Sequence, residues 1–204
     1  LARNPNLALA DAIASKLKAG EPLDAKALWA AADAIHGGTR AEGKYGPSDA
    51  YDALEAGFNK SLAGETDPTA GLDNALTQAA DLEDRVNQLP TQTNRSGNKD
   101  AFQQFSTPPH YAFAANWIAN IQPGENVLEP SAGTGSLSVH AQNAGANVTA
   151  NELDPARAAF LMDQLGASNV HIEKGFVMQL IFPESFNCIT GDFIADAIWT
   201  VRRR

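Results

Sequence analysis

"VLEPSAGTGSLSVH", residues 127–140, decides how the rest of the chain is read. A short apolar run, Val127-Leu128, ends at Glu129 and Pro130. Five small residues follow, Ser131-Ala132-Gly133-Thr134-Gly135, and then Leu137 and Val139 open a helical pattern. A buried strand, a glycine loop and a helix in that order form half of a βαβ unit. The question is what the glycine loop holds.

Working outward, the alternation continues on both sides. "PPHYAFAANWIANI" reads as a helix with proline at its start, and Tyr111, Phe113 and Trp117 as its buried face. "ENVLEP" is a short strand, and "SLSVHAQNAG" a helix stopped by Gly145. "NVTANEL" is a second strand, "DPARAAFLMDQLG" a second helix stopped by Gly166, and "NVHIE" a third strand. Strands alternating with helices of this length predict a parallel, doubly wound α/β sheet.

Residues 1–88 carry helical spacing instead. Leu7, Leu9, Ile13 and Leu17 form one apolar face, and Leu28, Trp29, Ala32 and Ile35 a second, with Asp24 as its cap. Tyr51, Leu54 and Phe58 mark a third helix with Ser48 as candidate cap; Leu72, Leu76, Ala79, Leu82 and Val86 mark a fourth. Residues 89–101, "LPTQTNRSGNKDA", offer almost nothing to bury and read as a linker. The expected organisation is therefore a helical region at 1–88, a linker at 89–101 and an α/β domain at 102–204.

Composition narrows the function classes. With 204 residues, 44% of them hydrophobic, the chain can build a sizeable core. No apolar stretch nears the roughly 18 residues of a membrane span, and the polar N-terminus is no signal peptide, so a cytoplasmic protein without membrane contact is expected. It opens on Leu1, as expected of a processed chain or a piece of a longer one. A single cysteine, Cys188, leaves no internal disulfide. His110, His140 and His171 lack metal-ligand spacing, so no metal site is expected. A net charge of −9 argues against a phosphate-tracking surface, and the terminal Arg202, Arg203 and Arg204 read as a solvated end.

In doubly wound sheets ligands sit beyond the carboxyl ends of the strands, where this loop lies. It has neither the Lys-Ser/Thr of a P-loop nor a third glycine, since position 138 is Ser. Glu129 just before it would repel a pyrophosphate. Glu152, at the end of the second strand, stands where a carboxylate accepts from both ribose hydroxyls, about twenty residues past the glycines. An adenosine-type cofactor without a diphosphate follows. A side chain added at Gly133 is expected to fill its site.

"VLEPSAGTGSL" with "VTANELDP" after it and "FQQFSTPPHYAFAANWI" before it resembles the S-adenosylmethionine-dependent methyltransferases of the N6-adenine DNA type. The likeness covers roughly residues 102–173. It implies a Rossmann-like class I methyltransferase domain, preceded here by the helical region, with S-adenosyl-L-methionine as cofactor. By that resemblance Phe105, Ser106, Thr107 and Pro108 close over the methionine end of the cofactor. Glu129, Pro130, Ser131, Ala132, Gly133, Thr134 and Gly135 wrap its amino-acid part and sulfonium, and Glu152 with Leu153 holds the ribose. The stretch "GGTRAEGKYGPSDAYDALEAGFN" also resembles the region before this module in very large phage and mobile-element proteins that continue into a strawberry-notch-type helicase.

The tail departs from the family. The Asn/Asp/Ser-Pro-Pro-Tyr/Phe motif that receives a flipped adenine is absent, because the one Pro-Pro, Pro108-Pro109, belongs to the earlier motif. In one register "SFNCIT" is a fourth strand and "GDF" stands at the catalytic position, with Asp192 accepting from the amine and Phe193 stacking. In the other, "NCITGDF" is the third strand and Asp192 contacts the cofactor's adenine. Spacing favours the first. The cofactor half is thus intact and the chemistry half degenerate or missing, and the domain is short of strands, which predicts a sheet edge for a protein partner to cover. DNA contact then requires additional domains or subunits. The alternatives are a non-catalytic cofactor-binding or interaction module of a larger phage or mobile-element protein, and a methyltransferase for protein or small molecules.

Overall fold

The computed structural model describes residues 3–90, 107–172 and 199–200. Four helices come first: α1 (Pro5–Lys18), α2 (Ala25–His36), α3 (Pro47–Ser61) and α4 (Leu72–Asn87). Then follow α5 (Pro109–Ala119), β1 (Asn126–Glu129), α6 (Ser136–Asn143), β2 (Asn147–Asn151), α7 (Pro155–Leu165) and the short strands β3 (Val170–His171) and β4 (Trp199–Thr200).

Local chemistry explains the helix starts. Asn4 and Asp24 accept from the backbone N–H groups of Asn6 and Ala27, and Pro5 supplies a preset φ at the first position of α1. For α3 the cap is Gly46, not Ser48. Pro47 occupies the first helical position, and Asp49 reaches back to accept the Gly46 N–H at 2.7 Å. A proline preset for the helix start displaces the serine into the first turn.

The sheet runs β3-β2-β1-β4. Strands β1 and β2 pair in parallel from Asn126↔Asn147 to Glu129↔Ala150, and β2 pairs in parallel with β3. The three parallel strands make a helix-rich α/β fold compatible with a partial Rossmann-like methyltransferase domain. Strand β4 corrects the expectation of a wholly parallel sheet: Leu128↔Trp199 and Val127↔Thr200 pair antiparallel. Mixed sheets commonly carry such a strand on a parallel core. The third strand is also shorter than "NVHIE", because Asn169 closes a 3₁₀ turn that starts at Ala167.

Among the described residues, three clusters of buried side chains hold the fold. One lies among α1, α2 and α3 (Leu9, Ile13, Leu28, Leu54) and takes in Phe160 from α7. The second packs the sheet against α6 and α7 through Val127, Val148, Ala158, Leu161 and Val170. The third joins Phe58, Leu62 and Leu82 to Phe113 of α5 and Val139 of α6. Helix α3 therefore shares buried side chains with elements on both sides of residues 89–101. Two predicted faces are only half right: Leu72 and Leu76 are 56% and 60% exposed, while Ala75 and Leu82 point inward; Tyr111 is 63% exposed, while Phe113 is buried. Helical spacing identifies a stripe, but the position of the neighbouring helix decides which edge of it is covered.

Polar ties reinforce the same layers. Lys60 of α3 bonds both Asp11 of α1 and Asp163 of α7, and Arg3 pairs with the same two carboxylates. Inside α6, His140 is fully buried with Nδ1 2.9 Å from Thr66 Oγ1. Burial holds its imidazole down to about pKa 4, with the nearby Pro109 carbonyl opposing the shift. No helix among the described residues is long and apolar enough to cross a membrane.

Candidate cofactor site

The loop after β1 lies at the carboxyl ends of β1 and β2. Strands β2 and β3 lie on one side of β1 and β4 on the other, so the loop sits at the switch in strand order. Gly133 (φ +58°) and Gly135 (φ +94°) take left-handed conformations that turn the chain into α6. The loop closes on itself through Gly135 N–H to Ala132 O at 2.8 Å. It is tied to β2 by Ala132 N–H to Asn151 O at 2.9 Å and by Asn151 Nδ2 to Pro130 O at 3.3 Å.

Glu152 is the hinge of the arrangement. One carboxylate oxygen accepts the Gly133 N–H at 2.7 Å and the other accepts the Asp154 N–H at 2.8 Å. The residue is 8% exposed. It thus pins the glycine loop to the start of α7, where Asp154 caps the helix by accepting from Ala156 N. A carboxylate has about four lone-pair sites. Two are used by these backbone groups, so a pair of ribose hydroxyls can still be received without breaking either bond. These residues fit the ribose end of S-adenosylmethionine.

Other expected residues divide by depth. Glu129 is buried beneath the loop and accepts from Ser138 Oγ, a bond that fastens α6 to β1. Ala132, Thr134 and Gly135 are buried, Pro130 and Gly133 half-buried, and Ser131 and Leu153 exposed. Thr107 is brought to the start of α6, where Ser136 Oγ donates to its carbonyl at 3.1 Å, and Pro108 precedes α5. Phe105, Ser106, Asp192 and Phe193 lie outside the described residues. The outlook for Gly133 changes: a β-carbon there would face the Arg157 guanidinium at 3.5 Å, an ordinary contact, rather than open ligand space.

That arginine belongs to a cluster absent from the sequence reading. Arg157, on α7, has a side chain only 3% exposed; its Nη2 donates to Glu55 Oε2 at 3.0 Å, and its Nε lies 3.7 Å from Asp52 Oδ1. Asn59 Nδ2 donates to the Thr134 carbonyl at 3.1 Å and approaches Thr134 Oγ1 at 3.3 Å. Asp52, Glu55 and Asn59 recur at i, i+3 and i+7, the spacing of one helix face. That polar stripe on a helix with Leu54 and Phe58 was the available signal. A separate groove lined by Pro68, Thr69, Ala70, Trp117, Ile118 and Asn120 shares no residue with this site.

Among curated proteins, the chain is 36% identical over 74 residues to one described as a probable ribosomal RNA small subunit methyltransferase A of Methanothermobacter thermautotrophicus. The matched stretch is 36% of this chain and 27% of that protein, so the chain spans about a quarter of the length of the relative it matches. No family model and no solved structure matches the chain. A glycine loop at the switch point, a carboxylate after β2 and this likeness converge: part of the chain is homologous to a methyltransferase, which supports a methyltransferase module of the S-adenosylmethionine-dependent kind.

Proposed function

We propose that this chain is the cofactor-binding module of a methyltransferase that acts on adenine N6 in DNA, within a larger phage or mobile-element protein. The observation that carries the cofactor half is the loop from Pro130 to Gly135, locked by Glu152 with carboxylate lone pairs to spare. "FSTPP" and "NELDP" at their distances from that loop support the DNA type. When bound, S-adenosylmethionine supplies an electrophilic methyl group for in-line transfer. Glu152 receives the ribose hydroxyls, the backbone around Gly133 to Gly135 receives the methionine portion, and Thr107 borders it. The catalytic motif is degenerate or missing: in the register that puts "GDF" at the catalytic position, Asp192 accepts from the amine and Phe193 stacks on a flipped base. The catalysis asked of the protein is mostly positioning. A net charge of −9 means that the grip on phosphates comes from further domains or subunits.

A second reading, an RNA acceptor, is favoured by the name of the relative, a ribosomal RNA methyltransferase. Calorimetry with S-adenosylmethionine comes first, then transfer of labelled methyl to unmodified DNA and to ribosomal RNA. Absence of cofactor binding overturns the proposal. Transfer to RNA alone selects the second reading, and binding without transfer to either selects a non-catalytic module.

A further inference from the structure

From the contacts of α3 with the glycine loop we infer that the N-terminal helical region is a positioning element for the cofactor, with Asn59 and Glu55 setting the loop's binding-competent shape. The inference rests on the cofactor reading above and adds residues to it from outside the α/β part of the chain. Three observations carry it. Asn59 is 2% exposed and spends its amide on the Thr134 carbonyl and hydroxyl, at the centre of the loop. Glu55 bonds Arg157, and Arg157 lies directly under Gly133, so the loop rests on a guanidinium that α3 holds in place. Glu55 Oε2 also lies 3.5 Å from Thr134 Oγ1.

These contacts reach the loop at atoms that Glu152 does not hold. Glu152 ties the Gly133 N–H to β2 and α7, whereas α3 ties the Thr134 carbonyl and holds Arg157 beside Gly133. A loop with two left-handed glycines has many alternatives once one side is released. Apparent affinity falls by whatever fraction of molecules leaves the competent shape. Asn59 and Glu55 are not themselves among the expected cofactor contacts and act through Thr134 and Arg157, so they are positioning residues and not catalytic ones.

The test uses the full chain and three variants: Asn59→Ala, Glu55→Gln and, as a control, Asn143→Ala. Asn143 also bridges α6 to the end of α3, bonding the Leu62 carbonyl at 2.8 Å and Thr66 Oγ1 at 2.7 Å, but at the far end of α6 from the loop. Its loss costs stability without touching the site. Calorimetry with S-adenosylmethionine is expected to show about tenfold weaker binding for Asn59→Ala, as one buried carbonyl loses its donor, and about threefold for Glu55→Gln. Asn143→Ala is expected to stay within about twofold of the parent. Amide hydrogen exchange without cofactor supplies an independent readout: Gly133 and Gly135 should exchange faster in Asn59→Ala and Glu55→Gln, but not in the control.

Equal affinity and equal loop exchange in Asn59→Ala and the parent overturn the inference. So does an equal loss in Asn143→Ala, which would mean that only global stability is being read. Should Asn59→Ala fail to fold, Glu55→Gln decides alone, since that side chain is 32% exposed and its charge is replaced by an isostere. A parent that binds no S-adenosylmethionine refutes the cofactor reading instead, and the exchange data still decide whether α3 orders the loop.

Discussion

Replacing Glu152 by Gln keeps the size of the side chain and changes only what it can accept. The native carboxylate takes the Gly133 and Asp154 N–H groups on separate oxygens, at 2.7 and 2.8 Å. A glutamine amide offers one oxygen and one NH2 group, so one of the two N–H donors must face another donor. A bond to a charged acceptor contributes about 1.5–3 kcal/mol, and the surviving bond weakens as its acceptor loses charge. With Glu152 only 8% exposed, solvent does little to repair the loss. The expected cost is about 2–4 kcal/mol. For a chain of this length each kcal/mol lowers the melting midpoint by about 3 °C, so Glu152→Gln should melt about 6–12 °C below the parent. Differential scanning calorimetry measures this without cofactor. The same scan with S-adenosylmethionine tests the role proposed for Glu152 at the ribose, because ligand binding raises the midpoint by mass action. The variant should lose most of that rise, having given up an acceptor for the ribose hydroxyls. A midpoint within about 1 °C of the parent, with the cofactor-induced rise intact, would refute the assignment of Glu152 as the pin of the loop.

Two more changes probe the loop and the core. Gly135→Ala combines a left-handed φ of +94° with a β-carbon 2.9 Å from Gln164 Oε1 and 3.1 Å from Leu161. Gly64→Ala has a similar φ, +76°, but nothing within 4 Å. Urea unfolding should show about 3 kcal/mol lost in the first and about 1 kcal/mol in the second; equal losses would mean that crowding against α7 is absent. His140 tests the interior through pH. Its folded pKa, about 4, lies below the 6.5 of an open chain because burial disfavours the charged ring. Between those values the unfolded chain binds more protons, so this stability is full above pH 6.5 and drains away as pH falls towards 4, on the order of 3 kcal/mol in all. His140→Gln should flatten the dependence of urea midpoints on pH between 7 and 5, and an unchanged slope would assign the proton to another group.

Much of this protein was legible in one dimension. The strand-loop-helix order around residues 127–140, the second helix with its stop at Gly166, and the acidic position at 152 are local features, set by apolar period, proline and glycine. Leu9, Ile13, Leu28, Leu54 and Phe58 are buried as their spacing predicts. What spacing could not supply was which edge of each stripe a neighbour covers, so Leu72, Leu76 and Tyr111 are exposed and Ala75 is buried. Nor could it supply the direction of β4, since pairing depends on where a distant segment arrives rather than on its own residues. The sharpest case is Glu152. Sequence alone marked it as a carboxylate at the right distance from two glycines. Tertiary structure decided that it grips the loop by its backbone, that Asn59 bonds the loop at Thr134, and that Asp52 and Glu55, about a hundred residues before Arg157, hold that arginine beside Gly133. Hydrogen bonds between segments so far apart leave no periodic trace in the chain. They exist only once helix α3 has been packed against α7 by the buried apolar side chains around Phe160.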